Sequence, residues 1–152
     1  MEKLLYIAVG GGIGSVLRYL LSSWTQRTTS AASAAAAAAA GAASAAGAAG
    51  GEAAGPAFPF GTLAVNVLGC LVMGALAAFF AGPHRVRDEV RLGLMVGVLG
   101  GFTTFSSFAW ETFGLADSGD RGRALTNLLL SNGLCLIAVW IGYRVMQEFR
   151  GA

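Results

Sequence analysis

Charge is scarce in this chain. Asp, Glu, Lys and Arg make up 12% of its 152 residues, against 55% hydrophobic, and mean hydropathy is +0.65. Ordinary soluble domains are about 25% charged, so the composition favours a membrane protein before any motif is read. A net charge of +2 is too small and too scattered to indicate a nucleic-acid partner. Cysteine is nearly absent too. Cys70 and Cys135 each sit in an apolar run, with no second Cys or His at ligand spacing. That argues against a secreted disulfide framework or a metal set, and both read as small buried residues. The single histidine, His84, lies in a charged loop. No nucleophile–base set accompanies it, so the chain does not read as an enzyme.

What is present is a series of long apolar segments. A helix needs about 20 mostly apolar residues to cross the hydrocarbon core. Four segments qualify: residues 4–24, 58–81, 92–110 and 124–143. The first contains one charge, Arg18, and the other three contain none. Trp140 and Tyr143 stand near the end of the fourth as interfacial anchors. The N-terminus has no small-x-small site closing its apolar run before Arg18, so it reads as a retained span rather than a signal peptide. The connections at residues 82–91 and 114–123 are short, charged and turn-rich. The expectation is an all-α membrane protein: a single four-helix domain covering residues 1–152, with sequential helices antiparallel.

Residues 31–55 stand apart, with 17 Ala, five Gly, two Ser and one Glu. Alanine is not among the residues that drive insertion strongly, and interspersed glycine lowers helix propensity. The segment reads as a low-complexity insertion between the first two spans, partly helical or disordered, and not as a fifth span. Lysine and arginine specify orientation only weakly. With four spans, Lys3, Arg85, Arg87, Arg91, Arg144 and Arg150 share one side, facing Arg27, Arg121, Arg123 and at most Arg18 on the other. The bias leans toward cytoplasmic termini and is shallow enough for insertion in both directions.

Polar groups inside a membrane mark either a pathway or a packing contact. In the second span Thr62 and Asn66 are four residues apart and share a helical face, which Gly69 continues. In the first, Gly10, Gly11, Gly12 and Gly14 permit close helix approach. They lack the preceding strand of a phosphate-binding loop. Arg18 either snorkels outward or draws an anion to a vestibule. In the fourth span Asn127, Ser131 and Cys135 form a stripe at i, i+4 and i+8. The third span holds GGFTTFSSF, residues 100–108. Gly100–Gly101 followed by Thr103–Thr104 suits a helix break, whose freed carbonyls must be buried in protein or line a watery cavity. Converging carbonyls suit a dehydrated monovalent cation. Phe105 and Phe108, three apart, present rings whose positive edges can receive an anion; core packing is the alternative for such a pair.

The strings GGGIGSVLRY, FPFGTLAVNVLGC and GVLGGFTTFSSFAWET resemble, in this order, three signatures of the small fluoride-channel family (Fluc, also called CrcB). The match covers all four spans and leaves out the Ala-rich insertion and the termini. The resemblance implies a passive, fluoride-selective channel of the cell membrane that lets accumulated fluoride leave the cell. It implies an antiparallel, dual-topology dimer with two pores, a third helix broken mid-membrane, and a structural sodium ion at the centre. A homodimer is expected, with a heterodimer of oppositely oriented paralogues as the other arrangement. Gly100 and Thr103 would give the sodium their carbonyls, and Phe105 and Phe108 would line the fluoride path. Asn66 would offer amide donors, with Thr62 starting a polar track and Ser131 continuing it. Where many members carry a tyrosine followed at i+4 and i+8 by serines, this chain has Asn127, Ser131 and Cys135. A thiol is a weak donor, so the far end of the track differs.

The chemistry is coherent in itself. A pore for a small, tightly hydrated anion must replace water with weak donors, and fixed cations along the path would hold the ion too long. A different class is a four-span, proton-coupled multidrug exporter, which needs an ionisable residue deep in the bundle. The first span has no carboxylate, and the nearest candidate, Glu111, lies toward the end of the third. A non-transporting scaffold packed through glycines would not need the mid-span polar residues.

Overall fold

The computed structural model describes residues 1–43, 57–82 and 86–151. Within them every regular element is helical: α1 (Glu2–Ala43), α2 (Phe60–Phe80), α3 (Asp88–Leu92), a π-helical stretch (Gly93–Leu99), α4 (Gly100–Phe102), α5 (Phe105–Asp117) and α6 (Arg121–Gly151). Four helical stretches are long and apolar enough to cross a membrane: Glu2–Ala38, Phe60–Phe80, Asp88–Asp117 and Arg121–Arg150. The first runs well past residue 24. The Ala-rich segment is helical as far as Ala43, continuing α1, as alanine's high helix propensity allows. The rest of that segment and His84 lie outside the described residues.

Glycines decide how the helices pair. α1 runs parallel to the π-helical stretch and α4, with bare backbone against bare backbone. A Cβ at Gly10 would meet the Gly93 carbonyl and the Val98 amide, and one at Gly14 would meet the Val98 carbonyl. Lipid supplies no hydrophobic drive between helices, so such close approach is what holds them together. Lys3–Asp88 at 3.9 Å and Arg87–Glu2 at 3.5 Å join the outer ends of this pair. Both bridges are exposed and worth about 0–1 kcal/mol each.

α2 and α6 form the second parallel pair and the most extensive interface. Gly74 lies against the Val139 carbonyl and Gly142 against that of Leu71. The Arg150 guanidinium donates to the Ala78 carbonyl in the last turn of α2, where a cation also suits the helix dipole. The start of α2 has no side-chain cap of its own. Gln26 of α1 serves instead: its Nε2 donates to the Phe58 carbonyl at 3.2 Å, and its Oε1 accepts from the Gly61 amide at 3.2 Å. That clamp ties the two helix pairs together.

Between α4 and α5, Thr103 (φ −79°, ψ 154°) and Thr104 (φ −148°, ψ 110°) are extended. Gly100 and Gly101, expected at the interruption, are helical. Gly101 packs on the Gly11 backbone of α1, so its smallness is used for approach.

Candidate functional site

Two extended residues inside a helix leave backbone groups without their usual partners, and side chains take several of them over. In an uninterrupted helix the Thr104 amide would return to the Gly100 carbonyl. Here it donates to Asn66 Oδ1 at 2.8 Å, while Asn66 Nδ2 donates to the Thr104 carbonyl at 3.1 Å. The Ser107 amide would likewise return to the Thr103 carbonyl. It donates instead to Thr104 Oγ1 at 3.2 Å, the N-cap of α5. Both i+4 donors are thus diverted, from Gly100 and from Thr103. The Thr104 hydroxyl also bonds to Ser107 Oγ at 3.0 Å and Ser106 Oγ at 3.2 Å.

A cavity of about 320 Å³ opens on one side of this interruption. Its wall includes Asn66, Thr103, Thr104, Phe105, Phe108, Ser131 and Asn132, with no Lys, Arg, His or carboxylate. Of Asn66's two amide hydrogens, one is used on Thr104, and the other has no partner among the described residues. The Phe105 and Phe108 rings are 5.4 Å apart at their centroids and inclined by 56°. Phe108 is 8% exposed and Phe105 is 75% exposed, so one ring is packed and its neighbour stands free.

Behind the cavity runs a chain of polar side chains. Ser131 Oγ donates to Asn127 Oδ1 at 3.3 Å, Asn127 Nδ2 donates to Thr112 Oγ1 at 2.8 Å, and Thr112 Oγ1 donates to the Phe108 carbonyl at 2.7 Å. Asn127, only 1% exposed, links α6 to α5 through its bond to Thr112. Ser131 joins it to the cavity, and its own bond is the longest of the three.

Thr62 faces elsewhere. Its hydroxyl donates to Glu111 Oε1 at 2.7 Å, in a second cavity of about 390 Å³ lined by Ser15, Arg18, Ser22, Ser23, Ser106 and Ser107 among others. Glu111 Oε2 is buried there without a hydrogen-bond partner. Thr104 lines both cavities and stands between them. Arg18 lines this second cavity and makes no ion pair among the described residues.

The five residues expected along one path are accordingly divided, Asn66, Phe105, Phe108 and Ser131 on one side of Thr104 and Thr62 on the other. Sequence reasoning missed Asn132, although an amide within a span was as strong a signal there as at Asn66. It also missed the Thr62–Glu111 bond, which joins helices 49 positions apart and leaves no local trace. The cysteines differ from expectation as well. They are half-buried rather than buried, and both line the cavity that carries Asn66 and the two phenylalanines.

Residues 5–143 match the family described as CrcB-like protein, Camphor Resistance (CrcB). Among curated relatives, the fluoride-specific ion channel FluC of Geobacter sulfurreducens is 41% identical over 148 residues, covering 97% of this chain and 99% of that one. The protein of the same name from Rhizobium leguminosarum bv. trifolii is 39% identical over 147 residues, covering 97% and 98%. That from Geotalea uraniireducens is 37% identical over 147 residues with the same coverage. These relatives are named as ion channels, not enzymes. With helices able to cross the bilayer and a family match over nearly its whole length, this chain is a multi-pass membrane protein that belongs to the CrcB-like family.

Proposed function

We propose that the chain is a fluoride-selective channel of the cell membrane, through which fluoride leaves the cell passively and its cytoplasmic level falls. The observation that carries this is the cavity lined by Asn66, Phe105, Phe108 and Ser131 without any fixed charge. Fluoride gives up strongly held water only to several donors at once. The free N–H of Asn66, the Ser131 hydroxyl turning from its long bond to Asn127, and the positive edges of the two rings supply them. None is a full charge, so the ion is bound and then released. Thr62 and Arg18, in the other cavity, would serve its entrance: Arg18 attracts the anion electrostatically, and Thr62 begins the hydroxyl-lined approach.

The functional unit in this proposal is an antiparallel, dual-topology dimer with two pores, and the extended Thr103–Thr104 pair lies mid-membrane as the break in the third span. A central sodium ion fits the donor set. Gly100 and Thr103 would hold it through the two carbonyls whose helical donors are diverted to Asn66 and Thr104. Gly100 is exposed, and a Cβ there would meet nothing within 4 Å. When bound, sodium supplies positive potential and joins the two subunits. The proposed dimer is of identical chains; a paralogue of opposite orientation is the other arrangement.

Purified protein in liposomes loaded with fluoride or chloride tests the proposal with ion-selective electrodes. Rapid fluoride efflux with chloride retained is expected. Fluoride traces indistinguishable from those of empty liposomes would overturn it. The buried, half-partnered Glu111 is the one feature that favours a proton-coupled exporter. Uptake of a lipophilic cation driven by a pH gradient, abolished by Glu111→Gln, would support that reading instead.

A further inference from the structure

Cys70 and Cys135 are far apart in the chain, but the parallel packing of α2 on α6 sets them opposite each other. One turn further on, Gly74 lies against Val139, and this close crossing holds the two thiols in register. Both cysteines line one cavity and are not joined in a disulfide. Met73, three residues beyond Cys70, lies on the same helical face, and all three sulfur atoms belong to residues of one cavity wall, the wall that also carries Phe105 and Phe108. No carboxylate, imidazole or amine shares it, so the only strong metal donors there are soft.

We propose that Cys70, Cys135 and Met73 form a binding site for one soft monovalent cation of the Ag⁺ or Cu⁺ type, and that its occupation closes the cavity to anions. Thiolate and thioether donors select such ions over sodium, magnesium or calcium. Binding forms two metal–sulfur bonds to the cysteines as both S–H bonds break, with the Met73 thioether as a weaker third donor. One cation enters, two protons leave to water, and no electron is transferred. The site thereby changes from neutral to a net single negative charge. In a cavity whose wall carries no Lys, Arg or His, that charge opposes any entering anion. A metal seated on the same cavity wall also narrows the space.

The closure rests on the fluoride-channel proposal, whereas the metal site does not. Titrating detergent-purified protein with silver nitrate in chloride-free buffer should saturate at one Ag⁺ per chain with release of two protons. Cys70→Ser and Cys135→Ser should each lose saturable binding, and Met73→Leu should weaken it. Cys70→Ala and Cys135→Ala repeat the test, with size-exclusion profiles showing which variants remain folded. Absence of saturable binding, or binding unchanged in a folded cysteine variant, overturns the site. Fluoride efflux from untreated proteoliposomes tests the channel proposal by itself. On those that conduct, Ag⁺ should stop efflux in the wild-type protein, a dithiol chelator should restore it, and Cys135→Ser should be insensitive. Unimpeded efflux with Ag⁺ bound overturns the closure.

Discussion

The carboxamide of Asn66 grips the peptide backbone of Thr104 at two points, accepting from its amide at 2.8 Å and donating to its carbonyl at 3.1 Å. A residue on α2 thus does for the third span what that span's own helix does elsewhere. Unsatisfied backbone groups in hydrocarbon cost several kcal/mol each, and the extended conformation at Thr103–Thr104 persists because Asn66 replaces what was lost.

Asn66→Ala should therefore damage structure and transport together. Two backbone groups of Thr104 would lose their partners, at about 1–3 kcal/mol each. Scanning fluorimetry of the detergent-purified variant should give a lower Tm, and fluoride efflux should fall to background. A wild-type Tm would contradict the clamp.

The two phenylalanines should separate these effects. Phe105 is exposed and Phe108 is packed, so Phe105→Ile should cut fluoride efflux with little change in Tm. Phe108→Ile should cut efflux and also lower the Tm, because the smaller side chain leaves part of its packed site unfilled. Full flux in both variants would remove the rings from the ion's path.

Thr62 and Glu111 should behave as an energetic unit. Thr62→Val takes away the one hydrogen bond to the carboxyl group, leaving both its oxygens without a partner. A double-mutant cycle of Thr62→Val with Glu111→Gln, read by denaturant or thermal unfolding, should give a coupling of about 0.5–3 kcal/mol. Additive effects would mean that the bond contributes nothing.

Glycine substitutions should sort by backbone contact rather than by position in a span. Gly14→Leu and Gly74→Leu would drive side chains into the Val98 and Val139 carbonyls, and both should abolish recovery of a monodisperse protein. Gly12→Ala and Gly133→Ala, where a Cβ meets nothing within 4 Å, should be recovered at wild-type yield.

How much of this was legible in the sequence varies with the kind of interaction. Long uncharged runs announced the membrane-capable helices, because bilayer thickness imposes a length that no other context demands. The polar chemistry of residues 100–108 was legible because hydroxyls and glycines are out of place in such a run. Which residues face one another was not. Thr62 and Asn66 share a face by periodicity, yet Thr104 parts them into different cavities through its extended backbone. That Cys70 and Cys135 share one cavity wall, and that Gln26 clamps the start of α2, depends on crossings set by glycines that look alike in sequence. Gly10 and Gly14 are pressed against backbone, whereas a Cβ on Gly12 between them would meet nothing within 4 Å. The π-helical stretch Gly93–Leu99 carries no residue type that announces it.

The first helix carries a consequence for the whole assembly. Its 42 residues, at about 1.5 Å each, make a rod of about 63 Å, some twice the ≈ 30 Å hydrocarbon core. In an antiparallel pair the alanine-rich ends of two such rods would stand out from opposite faces of the membrane. The particle would then look the same from both sides, and an antibody against that stalk would decorate sealed vesicles and inside-out vesicles equally.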